Sequence, residues 1–227
     1  MKKRYWAFLI GSWCLSVGMQ AAKVDTLSVH SDAMNKEVQV ITICPDKAMA
    51  GEKCPVLYLL HGYGGNAGTW LGIKPELPRI ADKEGIIFVC PDGKNSWYWD
   101  SPLNKEYRYE TFVSKELVNY IDKNFTTKVE RGGRAITGLS MGGHGSLWLS
   151  IRHKDVFGGG GSMSGGLDIR PFPNNWEMKK QLGEEASNKQ RWDEHTVINQ
   201  LDKIKNGDLA VIIAVSYTHL RAHETGA

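Results

Sequence analysis

Apolar positions in this chain fall into short runs separated by glycine-rich or polar loops. Residues 38–43 alternate apolar and polar side chains and are rich in β-branched residues, which predicts a strand with one face buried. Residues 45–53 read as a polar turn. Val56-Leu57-Tyr58-Leu59-Leu60 has no charged interruption, as expected of a strand covered on both faces. Residues 85–90 repeat that pattern and stop at Pro91-Asp92-Gly93. Residues 134–137 and 158–163 predict two further short strands, the second built of small residues that admit close neighbours. Residues 209–215 form one more continuous apolar run and predict a last buried strand. Helical periodicity appears between the strands. Phe112, Leu117, Val118 and Ile121 share one face of a helix over 109–124. Residues 141–153 predict a helix that opens on small residues, and residues 78–83 part of a shorter one. Strands alternating with helices imply an α/β class, with a mostly parallel sheet covered by helices on both faces. Three stretches read as loops: 62–68 is glycine-rich, 96–102 aromatic, and 171–190 polar and irregular, an insertion over the sheet. No repeat or low-complexity linker divides the chain, so residues 23–215 are expected to form one domain.

The N-terminus stands outside that pattern. Lys2, Lys3 and Arg4 precede a mostly apolar run over residues 6–19, and Ala21 and Ala22 then offer small residues for cleavage. This is the layout of a signal peptide over residues 1–22, too short for a membrane span. The expected product is secreted or periplasmic, with no stable membrane association after cleavage. The formal net charge is only +3 and the basic residues are scattered, so nucleic acid is not expected as a partner. Cys44, Cys54 and Cys90 lie beyond the leader, too few for a disulfide framework. Two readings stay open for them: a Cys44–Cys54 bridge, or three buried thiols.

Gly138-Leu139-Ser140-Met141-Gly142 supplies the candidate chemistry. It follows a predicted strand and opens a predicted helix, the context a G-x-S-x-G nucleophile elbow requires. A sharp turn there lifts Ser140 above the sheet, and Gly138 and Gly142 avoid collisions within it. His61-Gly62-Tyr63-Gly64-Gly65 follows the strand ending at Leu60. Acyl transfer passes through a tetrahedral oxyanion, which two backbone N–H groups stabilise. The expected donors are Tyr63 and Met141. His61 precedes the serine, so it reads as a loop-ordering residue, and His144, one helical turn beyond Ser140, as a packing residue.

These segments, with Ser162-Met163-Ser164-Gly165-Gly166, resemble the putative-esterase family over about residues 38–215. That family includes S-formylglutathione hydrolases, feruloyl and acetyl xylan esterases, and antigen-85 mycolyltransferases. The resemblance implies an α/β-hydrolase fold and a serine carboxylesterase working through an acyl-enzyme, with no metal and no cofactor. The substrate would be a small-molecule or polysaccharide ester, with acetyl or feruloyl groups on plant polysaccharide as candidates. An acyltransferase of the same fold and a non-catalytic carbohydrate-binding member are the alternatives. Residues 97–102 and 170–176 resemble family segments near the acyl or alcohol pocket, which makes Trp97, Tyr98 and Trp176 candidate substrate-binding residues.

The family also places an acid just after the strand at 209–215 and a histidine tens of residues later. This chain continues instead as Ser216-Tyr217-Thr218-His219-Leu220-Arg221-Ala222-His223-Glu224-Thr225-Gly226-Ala227. That string resembles a translated sequencing adapter. The esterase domain is therefore expected to be incomplete, its tail artefactual, and the chain as written nearly inactive. No acid or base is assigned from the sequence.

Overall fold

The computed structural model describes residues 22–215. The expected leader, apart from Ala22, and the expected tail at 216–227 lie outside the described residues.

Seven strands form one sheet: β1 (Lys23–Ser31), β2 (Lys36–Cys44), β3 (Val56–Leu60), β4 (Ile87–Pro91), β5 (Arg134–Leu139), β6 (Gly159–Met163) and β7 (Ala210–Ala214). Their spatial order is β1-β2-β4-β3-β5-β6-β7. The β1–β2 and β2–β4 pairs are antiparallel, and the remaining pairs are parallel. The helices are α1 (Asp46–Met49), α2 (Thr69–Ile73), α3 (Leu77–Glu84), α4 (Tyr109–Thr111), α5 (Leu117–Asn124), α6 (Met141–Arg152), α7 (Met178–Leu182) and α8 (Lys189–Glu194). A π turn over Phe112–Glu116 joins α4 to α5, so the single helix expected over 109–124 carries one widened turn. Among the described residues no helix is long and apolar enough to cross a membrane.

The uninterrupted apolar runs of β3 and β4 follow from two cores. Val56, Tyr58 and Leu60 of β3, with Ile87 and Val89 of β4, face a core shared with Phe112, Leu117 and Trp148. Leu59 of β3, with Phe88 and Cys90 of β4, turns to the opposite core beside Trp70, Leu77 and Ala81. Alternating side chains thus fill both faces, and a polar residue on either would be stranded. Cys44, Cys54 and Cys90 are three free, buried thiols, and burial pushes Cys90 up to about 12.

β7 is an uncovered edge strand, as expected of an incomplete domain. Its apolar run reads as a buried strand, yet Ile212 is 75% exposed and every residue from Ala210 to Ala214 is open to solvent. One edge pairs with β6, while the other edge and both faces have little covering them among the described residues. An apolar run predicts the strand but not which elements lie over it.

The chain leaves β3 towards β4 on one side and returns to β5 on the other. The C-terminal ends of β3 and β5 therefore form a switch point, where open α/β sheets offer a crevice for ligands. Glycines set how closely the two ends meet. A Cβ on Gly142 would sit 2.3 Å from the Leu60 carbonyl oxygen, backbone against backbone. We expect Gly142→Ala to cost about 2–3 kcal/mol, as overpacking does, measured by urea unfolding of the purified domain. Gly72→Ala in α2, where a Cβ meets nothing within 4 Å, should instead stabilise by about 0.5–1 kcal/mol.

Candidate active site

Ser140 sits between β5 and α6 with φ 55° and ψ −114°, a conformation that non-glycine residues rarely adopt. Its amide donates to the Met163 carbonyl at 2.9 Å, so the β5–β6 ladder holds the turn from one side. Its carbonyl accepts the His144 amide at 3.0 Å, which starts α6 on the other. A strained residue pinned at both ends exposes its side chain above the sheet. The hydroxyl stands at the N-terminus of a 12-residue helix, whose dipole favours negative charge there.

The loop after β3 lies directly beside it. A Cβ on Gly62 would lie 3.6 Å from the Ser140 Cβ. The Gly62 carbonyl accepts the Gly65 amide at 3.0 Å and the His61 Nδ1–H at 2.7 Å. That carbonyl shares a rigid peptide plane with the Tyr63 N–H, so two donors on one side fix the direction of the N–H on the other. Neither the Tyr63 N–H nor the Met141 N–H has a protein acceptor among the described residues. Met141 is the first residue of α6, where an N–H has no intrahelical partner. The structure thus brings together the three residues expected at the centre of the site.

His61 does order this loop. Its Nε2 accepts the Gly93 amide at 2.8 Å, which leaves the proton on Nδ1 for Gly62. Its own carbonyl accepts the Tyr98 hydroxyl at 3.1 Å. With both nitrogens committed and the ring buried, it is a brace. His144 is likewise enclosed. It donates from Nδ1 to the Gly166 carbonyl at 2.8 Å and accepts the Trp99 indole N–H on Nε2 at 2.9 Å. Burial, with a small contribution from His195, lowers its pKa to about 4, against the Gly166 hydrogen bond. Elsewhere, His153 Nε2 lies 2.9 Å from Glu110, and His195 stacks on Trp148 while bonding the Arg191 carbonyl. Among the described residues no imidazole or carboxylate bonds the Ser140 hydroxyl. Asp168 is gripped by Arg170, and Asp208 by Lys154 at the far end of the sheet.

Two of the three expected substrate-binding aromatics do other work. Tyr98 is fully buried beneath the elbow, and a Cβ on Gly145 would meet its ring at 2.3 Å. Trp97 is 4% exposed, stacks on Trp99 and donates its indole N–H to the Trp176 carbonyl at 3.3 Å. Neither ring has a free face for a substrate, because the 96–102 loop turns inward to fill the space under α6. Trp176 is 43% exposed and leans on Trp97 and Phe172. Two polar residues near the loop escaped the sequence reading. Asn95 accepts the Gly64 amide at 2.9 Å and faces Glu177 from the inserted segment. Asp92-Gly93-Lys94-Asn95 is a turn-like string after a strand, the one local signal that pointed to Asn95.

A family model described as "Putative esterase" matches residues 31–220. The chain belongs to the putative-esterase family. An acetyl esterase of Caldicellulosiruptor saccharolyticus is 29% identical over 151 residues, covering 63% of this chain and 56% of that protein. An endo-1,4-beta-xylanase/feruloyl esterase of Xylanibacter ruminicola is 34% identical over 124 residues, covering 51% of this chain and 17% of that one. The chain therefore spans about half the length, or less, of these curated relatives. A fluorophosphonate-binding serine hydrolase of Staphylococcus aureus shares the fold, with a TM-score of 0.74 at 19% identity. That match covers 90% of this chain and 86% of the other, and the fold of this esterase-family chain is that of the α/β-hydrolases.

His144 gives the site's foundation a pH dependence with a definite sign. The folded protein keeps it neutral down to about pH 4, whereas the unfolded chain takes up a proton near 6.5. Protons therefore favour unfolding between those values, and stability falls as the pH drops through them. The linked loss is about 3 kcal/mol. Urea unfolding between pH 7 and pH 4 should show a slope that His144→Gln flattens; an unchanged slope would rule out His144 as the source.

Proposed function

We propose that this domain is the core of a serine carboxylesterase. One observation carries the reading: Ser140 is held exposed and strained beside the Gly62–Tyr63 peptide, with two unpartnered amides beside it. In this scheme the Ser140 oxygen attacks an ester carbonyl carbon as an imidazole takes its proton. The carbonyl π electrons move onto oxygen, where the Tyr63 and Met141 N–H groups and the α6 dipole receive the charge. Collapse expels the alcohol, which regains the proton, and leaves an acyl-enzyme. Water then repeats the two steps and frees the acid. Among the described histidines, His61 and His144 beside the site have both ring nitrogens committed to the framework and are not that imidazole.

The two relatives, an acetyl esterase and a feruloyl esterase, favour acetyl or feruloyl groups on plant polysaccharide as substrate. The exposed Trp176 ring is an apolar platform of the kind sugars and phenolic rings stack on. The basic head and apolar run at the N-terminus support a secreted or periplasmic mature protein. Intact-mass analysis of exported protein should find it starting just after Ala21 or Ala22, and a species that retains Met1 would refute cleavage.

In the full-length protein, Ser140→Ala should lower turnover of p-nitrophenyl acetate by on the order of 10⁶-fold while the unfolding midpoint stays in place. Labelling of the wild type by a fluorophosphonate at Ser140, mapped by peptide mass, checks the same assignment. Wild-type turnover in the alanine variant would sink it.

A further inference from the structure

The peptide on the N-terminal side of Tyr63 is fixed by His61 and Gly65, as described above. The peptide on its C-terminal side is fixed by a different route. The Gly64 amide donates to Asn95 Oδ1 at 2.9 Å. Gly64 itself is in the left-handed region, with φ 74°, so the loop has no regular ladder to hold it there. With both flanking peptides pinned, the backbone of Tyr63 has no freedom left to rotate its N–H away from Ser140.

Asn95 can play this part only if its amide faces the right way. Its oxygen and nitrogen are nearly isosteric, and a flip would present two N–H groups to the Gly64 N–H. Glu177 prevents the flip. Its carboxylate only accepts, and it receives the Asn95 Nδ2 at 3.4 Å on one oxygen and the Lys180 ammonium on the other. The carboxylate therefore demands the NH₂ end of Asn95 and leaves the oxygen for Gly64. Glu177 also bonds the Tyr63 phenol, so its segment reaches the oxyanion loop directly at Tyr63 and through Asn95 at Gly64.

The backbone around Glu177 is strained for this placement. Trp176 and Glu177 are consecutive non-glycine residues with φ 49° and 54°. Left-handed conformations cost energy in such residues and persist only where the surroundings enforce them. Here the Trp97 indole N–H grips the Trp176 carbonyl, and Trp97 and Tyr98 are themselves a left-handed pair at φ 58° and 61°. The residues 171–190 and 96–102 are thus locked together next to the loop that carries Tyr63.

We infer that Asn95 and Glu177 are positioning residues for the oxyanion donor, with Asn95 holding the Gly64 peptide and Glu177 fixing the Asn95 amide. This rests on Tyr63 acting as an oxyanion donor to an acyl group on Ser140. It also ties the segment bearing the exposed Trp176 to the catalytic loop, so that anything seated on Trp176 reports to the oxyanion site through Glu177.

The test uses the full-length protein and four variants: Asn95→Ala, Glu177→Ala, Glu177→Gln and Lys180→Ala. Hydrogen exchange at the Gly64 amide is read by NMR, with the Gly72 amide of α2 as reference. Asn95→Ala and Glu177→Ala should speed exchange at Gly64 by about tenfold and leave Gly72 unchanged, as loss of one local hydrogen bond allows. Glu177→Gln, whose side-chain oxygen still accepts from Asn95, should stay within about threefold of wild type, and Lys180→Ala likewise, since an exposed ion pair contributes little. With p-nitrophenyl acetate the two alanine variants at 95 and 177 should lose about tenfold in kcat with KM within twofold, the split expected when only transition-state binding suffers. Gly64 exchange that is indifferent to Asn95→Ala, or Glu177→Gln behaving like Glu177→Ala, would overturn the proposal. Turnover that persists in Ser140→Ala would overturn the nucleophile reading instead, a separate outcome that the exchange data do not produce.

Discussion

The site depends on one close approach: the start of α6 against the end of β3. Gly142 lets the Leu60 and His61 carbonyls come within a distance no side chain would permit. Gly138 does the same inside the elbow, where a Cβ would meet the Gly142 carbonyl oxygen at 2.2 Å. Because β3 and β5 are neighbours in the sheet, this contact brings two loops distant in sequence to a single point. The proposed nucleophile, Ser140, arrives on one, and the proposed oxyanion donor, Tyr63, on the other. Neither loop has the geometry alone. Ser140 holds a strained turn only because β6 bonds its amide and α6 its carbonyl, and Tyr63 points its N–H only because the Gly62 carbonyl is anchored.

Aromatic side chains supply the floor under that contact. Tyr98 fills the notch left by Gly93 and Gly145 and reaches the His61 carbonyl with its hydroxyl. Trp97, Trp99, His144 and Trp148 continue the layer below α6. Rings suit this task because each contributes a large buried area with few rotatable bonds, and the polar tips find partners. The layer also explains how left-handed backbone survives at Trp97 and Tyr98. The conformational cost of each, about 1–3 kcal/mol, is offset by the burial of its ring, about 1.5–3 kcal/mol for a large apolar side chain.

Much of this was legible in the sequence, and the failures share a cause. The β3, β4 and β5 runs and the elbow carry local signals, since burial on both faces and a strand-to-helix turn each leave a pattern in consecutive residues. β1 was missed because its side chains are mostly exposed and it lies at the sheet's edge, with only Val29 and Ser31 fully buried. α1 and α2 are too short to show a period. The apolar run of β7 reports composition, while its exposure depends on what lies next to it. The 96–102 loop is ambiguous for the same reason: a loop rich in rings looks identical whether Trp97 and Tyr98 turn out to line a pocket or in to pack. Their partners Gly145 and Trp176 are remote in sequence. Asn95 and Glu177 lie 82 residues apart and meet only once the inserted segment folds over the loop.

The histidines show how a framework role and a chemical role exclude each other. A general base needs one free lone pair aimed at the proton it removes, and a pKa near the working pH. His61 accepts on Nε2 and donates from Nδ1, so recruiting it would release the Gly62 carbonyl that aims the Tyr63 N–H. The gain of a base would cost the oxyanion hole its geometry. His144 would have to give up Trp99 and Gly166 and take a charge into a wholly buried layer, which its lowered pKa already opposes. The same bonds that make these rings good braces make them poor bases. In the scheme proposed for Ser140, the proton acceptor is therefore neither of these two braces.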